Sequence, residues 1–175
     1  MRWPHAFRKL AKQVRCRRVF GRWTQAEQAL DLMPGYRIHR GDLIELGVGV
    51  HFGNNIFIDA RGGVRIGTNV IFAPDVSLLS YNHDFRDPGW KPYSPGFILR
   101  KISIGNHCWF GKSAIVLPGA EIGDNCIIGA GSVVGGRIPP NSIVAGNPAR
   151  IIGQTNFRDD AKPYQVIHGK MRRFG

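Results

Sequence analysis

Residues 104–135 read IGNHCWFGKSAIVLPGAEIGDNCIIGAGSVVG, and in them Ile104, Phe110, Val116, Ile122, Ile128 and Val134 recur at every sixth position. A glycine follows five of the six, at Gly105, Gly111, Gly123, Gly129 and Gly135, with Leu117 as the exception. A period of six matches neither the 3.6 of an α-helix nor the two of an isolated strand. It matches a solenoid. Three hexads make one triangular coil of about 18 residues, each giving a short strand and a turn, with the large apolar residue pointing inwards. Glycine at the next position lets the corner backbone turn closely, because it has no Cβ to clash.

Upstream the same phase returns at Leu46, Phe52 and Ile58, then at Ile66, Phe72 and Leu78, with Gly62 and Gly63 as two extra residues that shift the register once. The period breaks between Tyr81 and Lys101. There Asn82-His83-Asp84-Phe85 opens a stretch rich in proline, glycine and aromatics, including Pro88, Trp90, Pro92, Tyr93 and Pro95. Loops held on a rigid scaffold are where binding and catalysis concentrate, so function is expected at this excursion. The organisation follows: a basic, partly helical extension over 1–37, a solenoid domain over 38–152 with an excursion loop at 82–101, and a basic tail over 153–175. Thr24 with Glu27 makes a capping box for a short helix, and Phe7, Leu10, Ala11 and Val14 line one side of a preceding basic helix. Two uses of that extension stay open, a lid or subunit contact and docking to a membrane surface.

The formal charge of +12 is concentrated at the ends. Residues 1–37 carry nine Lys/Arg against two acids and 150–175 carry six against two, which leaves 38–149 nearly neutral. Affinity for polyanions therefore belongs to the termini, and no nucleic-acid motif accompanies the charge. The three cysteines, Cys16, Cys108 and Cys126, are odd in number and lack C-x-x-C spacing, which argues against a disulfide framework and points to a reducing cytoplasm. Neither an 18-residue apolar run nor a signal-peptide pattern is present, so a cytoplasmic protein is expected, with the inner face of the membrane open as its place of work.

Ile104-Gly-Asn-His-Cys-Trp109-Phe-Gly111, Pro118-Gly-Ala-Glu-Ile122-Gly-Asp-Asn125, Ile128-Gly-Ala-Gly-Ser-Val133 and Ala145-Gly-Asn-Pro-Ala-Arg150, taken as a set, resemble the sugar O-acetyltransferases of the hexapeptide-repeat superfamily. The resemblance covers about residues 40–152. It implies an all-β, left-handed parallel β-helix assembled as a homotrimer, with acetyl-CoA as co-substrate, no metal, and a sugar acceptor belonging to polysaccharide or lipopolysaccharide biosynthesis.

The resemblance also assigns roles. In that family a histidine at the start of the excursion loop is the general base, which falls on His83 beside Asn82. An imidazole suits the role independently, since it is the side chain that exchanges protons near neutral pH. Backbone amides near Gly111 and Lys112 are implied to hold the oxyanion, and Ala130 to touch the pantetheine arm. Arg150 is implied to meet the CoA phosphates, with a structural salt bridge as the other reading. Trp109 falls near the acceptor pocket, against a core or interface reading, and Asn54 falls at an acceptor contact for which Asn55 competes. Where many members read Thr-Lys-Asp, this chain has Gly135-Gly136-Arg137, which removes a hydroxyl and an ammonium beside CoA. Other classes fit less well. Zinc-dependent carbonic anhydrases of the same solenoid need two histidines five residues apart, and His39, His51, His83 and His107 offer no such pair. An N-acetyltransferase of sugar nucleotides and a non-catalytic scaffold remain as alternatives.

Overall fold

The computed structural model describes Val19, residues 30–85 and 96–156, and the backbone of strands at Gln165–Ile167 and Lys170–Arg172. The helix expected around Thr24, the one expected through Phe7 to Val14, and the middle of the excursion loop lie outside the described residues.

The chain winds as a left-handed parallel β-helix whose three flat faces are crossed by one short strand per coil. The first coil holds β1 (Asp31–Leu32), β2 (Arg37–His39) and β3 (Ile44–Leu46). The second holds β4 (His51–Phe52), β5 (Phe57–Asp59) and β6 (Val64–Ile66). In the third, β7 (Ile71–Phe72) and β8 (Ser77–Leu79) are followed by an outward hairpin of β9 (Tyr81–His83) and β10 (Phe97–Leu99), and the coil closes with β11 (Ile102–Ile104). The fourth holds β12 (Trp109–Phe110), β13 (Ile115–Val116) and β14 (Glu121–Ile122), the fifth β15 (Ile127–Ile128), β16 (Val133–Val134) and β17 (Arg137–Ile138). A last strand, β18 (Ser142–Gly146), stacks on β15 and turns back as antiparallel β19 (Ala149–Gln154), covering the open end of the first face. The expected domain start at 38 falls inside β2, and stacking already begins with Asp31 against His51.

Coil length is not constant. Asp31 pairs with His51 and His51 with Ile71, so two coils take 20 residues each; Ile71 pairs with Trp109 after 38, Trp109 with Ile127 after 18, and Ile127 with Ile143 after 16. A single register shift at Gly62 and Gly63 was the expectation, and the structure corrects it. The eight-residue step occurs in both early coils, from Ile38 to Leu46 as well as from Ile58 to Ile66. The first lacks a glycine pair to announce it, because Arg40 takes the left-handed conformation (φ 55°) and a 3-10 turn at Gly41–Leu43 absorbs the extra length. The excursion in the third coil and the shortened step from Val134 to Ile138 fall at the same corner, so one edge of the prism, between the second and third faces, holds every departure from the six-residue step among the described coils.

The inward residues read from the six-residue period form the core. Phe52, Phe72 and Phe110 are fully buried and stack ring on ring, with centroids 5.1 and 4.7 Å apart. Burying each such side chain stabilises the fold by roughly 1.5–3 kcal/mol. Corners approach one another closely. A Cβ on Gly67 would lie 2.6 Å from the carbonyl oxygen of Gly105 in the next coil, which is why the position is glycine. The turns beside these corners use left-handed residues, among them Asn55, Asn69, Asp75, Asn125 and Asn141, a conformation that Asn and Asp tolerate better than other side chains. Cys108 and Cys126 are buried in the wall, their thiols 3.2 Å from the carbonyl oxygens of Gly123 and Pro139.

The outer surfaces differ by face. The third face carries Glu45, Arg65, Ser103, Glu121 and Arg137 in register. The first carries Asp31 and His51 at its start and then Ile71, Trp109, Ile127 and Ile143, and the second Arg37 and then Phe57, Ser77, Ile115 and Val133. From the third coil onward two neighbouring faces are therefore largely apolar, while the remaining one is charged along its length.

Candidate active site

His83 ends β9, on the edge between the second and third faces. The hairpin that carries it is rooted in a small buried polar cluster. The Ser80 N–H and hydroxyl donate to the Asp59 carbonyl at 3.0 and 2.8 Å, the Ser80 hydroxyl accepts the Gly62 N–H at 2.8 Å, and the Ser80 carbonyl accepts the Arg100 N–H at 2.9 Å. The chain thus leaves and re-enters the prism at one residue. Across the hairpin, His83 is paired with Phe97 and Tyr81 with Leu99. The His83 ring is exposed and lies 5.0 Å from the Phe97 ring and 6.5 Å from that of Tyr81. Its own N–H donates to the Asn82 side-chain oxygen at 2.9 Å, which ties the two residues together.

Beneath this hairpin is a group that the hexad pattern did not announce. The Asp59 side chain, 3 % exposed, receives Arg61 through Nε at 3.0 and 3.2 Å and through Nη2 at 2.9 Å. Burial pushes the Asp59 carboxyl up, but the hydrogen bonds from Arg61 outweigh burial and hold it below the ordinary carboxylate range. The Arg61 guanidinium lies 3.6 Å over the Tyr81 ring centroid and 5.3 Å from that of Phe97. A sequence signal was available, since Asp-Ala-Arg occupies the oversized corner directly before Gly62 and Gly63.

The remaining candidates gather on a different edge, between the first and second faces. Asn54 of the second coil, Lys112 of the fourth and Ala130 of the fifth occupy equivalent exposed corner positions. Asn55, the competing asparagine, is turned to Asp75, to which its Nδ2 donates at 3.1 Å, and the Lys112 ammonium stands 3.3 Å from the same carboxylate. Hydrogen bonds from Asn55 and Lys112 hold the Asp75 carboxyl below its usual range. The Gly111 N–H is engaged in the ladder, donating to Ile128 at 2.7 Å. Among the described residues the neighbouring Lys112 N–H has no acceptor, while its carbonyl accepts the Gly131 N–H at 2.8 Å. Arg150 lies opposite Ala145 at the top of this edge and is exposed; it makes no ion pair among the described residues, its Nη1 donating at 3.0 Å to the adjacent Ala149 carbonyl. Trp109, 50 % exposed, stands outside the first face in register between Ile71 and Ile127, two residues before Gly111.

Within one chain the structure therefore brings Asn54, Lys112, Ala130, Arg150 and Trp109 to one side of the prism and Asn82 with His83 to another. Gly135 and Gly136, the place of the altered Thr-Lys-Asp motif, form the shortened corner on the His83 edge, and Gly136 has φ 69°. Among the described residues no group of three His, Cys, Asp or Glu side chains is arranged to hold a metal ion, and no helix is long and apolar enough to cross a membrane.

The family described as bacterial transferase hexapeptide (six repeats) matches residues 101–136. Galactoside O-acetyltransferase of Escherichia coli (strain K12) is 38 % identical over 123 residues, covering 65 % of this chain and 58 % of that protein, so the chain spans under two thirds of its length. Galactoside O-acetyltransferase of Lactococcus lactis subsp. lactis (strain IL1403) is 30 % identical over 168 residues, covering 84 % of this chain and 76 % of that one. A galactoside acetyltransferase solved in complex with coenzyme A superimposes with a TM-score of 0.52 at 25 % identity, covering 94 % of this chain and 98 % of that one. Both the repeat architecture and this long-range similarity place the chain in the hexapeptide-repeat acetyltransferase family, that of the galactoside O-acetyltransferases.

Proposed function

We propose that the protein transfers the acetyl group of acetyl-CoA to a sugar hydroxyl, in polysaccharide or lipopolysaccharide construction, at sites completed between copies of a homotrimer. The observation that carries this reading is the separation of the two edges. A histidine on one corner and a cation- and amide-bearing edge on another make a transfer site when the His83 edge of one copy faces the Lys112 edge of the next. The apolar first and second faces, which flank the Lys112 edge, supply surface that such an assembly would bury. The relatives are named as O-acetyltransferases and one similar structure is a coenzyme A complex, which supports the donor and favours oxygen as the acceptor.

In this reading acetyl-CoA lies along the Lys112 edge. Ala130 meets the pantetheine arm, and the unpaired Arg150 guanidinium meets phosphate, for which its planar fork of donors is suited. The acceptor is held by Asn82 and Asn54, with a sugar face on the exposed Trp109 ring. His83 takes the hydroxyl proton as the oxygen attacks the thioester carbonyl. The oxyanion that develops is met by the free N–H of Lys112 rather than by the engaged N–H of Gly111. Collapse breaks the C–S bond, and the proton held by His83 passes to the departing thiolate, giving the acetyl ester and CoA. No covalent acyl-enzyme is required. The basic termini would serve an anionic or lipid-linked acceptor at the cytoplasmic face of the membrane.

The test is acetyl-CoA consumption by the purified protein with a panel of mono- and oligosaccharides and amino sugars, beside His83→Ala. General-base catalysis contributes about 10²- to 10⁴-fold, and the variant should lose that much of kcat. Sugar-dependent turnover that survives in His83→Ala would refute the role of His83, and turnover confined to amino sugars would replace oxygen by nitrogen as the acceptor.

A further inference from the structure

Among the described residues four polar side chains are buried, Asp59, Ser80, Ser132 and Ser142, and two of these sit at the root of the His83 hairpin. Burying a carboxylate is costly unless it is paired, and Asp59 is the charged group among the buried described residues, so the Asp59–Arg61 pair needs a reason to exist. Its geometry supplies one. A general base is usually aimed by a hydrogen bond to its second ring nitrogen. Among the described residues neither ring nitrogen of His83 has a polar partner, and its neighbours are the rings of Phe97 and Tyr81. Those two rings share the Arg61 guanidinium, at 5.3 and 3.6 Å from their centroids, and Arg61 is held in turn by a forked ion pair with a buried carboxylate. Asp59 is also tied through its own carbonyl to Ser80, where the hairpin leaves the prism.

We infer that Arg61 is a positioning residue for His83: clamped by buried Asp59, its guanidinium is the plate on which Tyr81 and Phe97 rest, and those rings hold the imidazole in line with the acceptor. The proposal rests on the reading of His83 as the base. A lysine cannot replace this arginine, because it lacks the fork for Asp59 and the flat face for Tyr81.

The test uses the full chain as Arg61→Lys and as Tyr81→Leu, the second of which leaves the Asp59–Arg61 pair intact. Two readouts are taken. The first is steady-state kinetics, with and without His83→Ala. Both variants should lower kcat about 10- to 100-fold, the cost of a small misplacement of a reacting group. They should leave KM for acetyl-CoA unchanged, since the donor edge is elsewhere, and produce no further loss once His83 is gone. The second is the His83 ring signal in histidine-labelled NMR spectra, assigned by its disappearance in His83→Ala. It should move towards the free-imidazole position in both variants, because the flanking rings no longer hold their tilted and edge-on contacts with it. Wild-type kcat in both variants, or an equal loss in the His83→Ala background, overturns the proposal, as does a His83 signal that stays in place. If wild-type turnover does not depend on His83, the reading of the base falls on kinetics alone, and the position of the ring signal still decides whether Arg61 braces it.

Discussion

Replacing Phe72 by alanine removes the middle ring of the Phe52–Phe72–Phe110 column. The side chain is fully buried and stacks on both neighbours, at 5.1 and 4.7 Å, whereas Phe52 and Phe110 each share one of those contacts. A buried Phe→Ala change costs about 3–5 kcal/mol, and an aromatic pair is worth about 0.5–1.5 kcal/mol beyond its area. In a solenoid each coil is stabilised mainly by the coils beside it. Phe72→Ala should therefore be the most damaging of the three, exceeding Phe52→Ala or Phe110→Ala by about the one extra ring pair, 0.5–1.5 kcal/mol. Denaturant unfolding followed by circular dichroism at one fixed protein concentration measures this, with the concentration held because assembly shifts apparent stability. A Phe72→Ala loss equal to or smaller than that of both neighbours would refute the argument that the stacked column joins the central coils.

Gly67→Ala should destabilise by about 1–3 kcal/mol, because the added Cβ meets the Gly105 carbonyl oxygen of the next coil at 2.6 Å and Asn106 Oδ1 at 2.7 Å; thermal melting beside Gly153→Ala, whose added Cβ would make only ordinary contacts at 3.7 and 3.9 Å, separates crowding from the loss of glycine itself. The Asp59 carboxyl is held below its unfolded value, so the stability it contributes is present above the ordinary Asp pKa and is lost as pH falls through the lower folded value. Stability measured from pH 6 down to pH 2 should fall less steeply in an Asp59→Asn variant than in the wild type, and equal slopes would contradict the pairing.

The prism itself was readable from residues 104–135, because a six-residue apolar period has few structural solutions and every inward residue it nominated there is buried. The first two coils were harder. From Ile38 to Leu46 the step is eight residues with no glycine pair to mark it, and only the ladder from β2 to β5 and from β3 to β6 reveals it. Candidate site residues could be named from motifs, but their division between two edges depends on where each coil turns. Asp59 and Arg61 escaped the pattern for a related reason. Periodicity describes the apolar inward positions, and a buried ion pair tucked into an oversized corner has no period. Which amide near Lys112 is available was likewise invisible, since it depends on the Gly111 N–H being taken up by Ile128 in the neighbouring coil.

The central claim, that the His83 edge of one copy works with the Lys112 edge of another, is tested most directly by mixing. His83→Ala chains and Ala130→Glu chains, each inactive alone, are unfolded together in equal amounts and reassembled. Random cyclic assembly pairs an intact His83 edge with an intact Ala130 edge of the neighbouring copy at about one quarter of the interfaces, so about a quarter of wild-type turnover should return. Reassembled trimers that remain inactive would contradict the claim, because a site built within a single chain gains nothing from a neighbour.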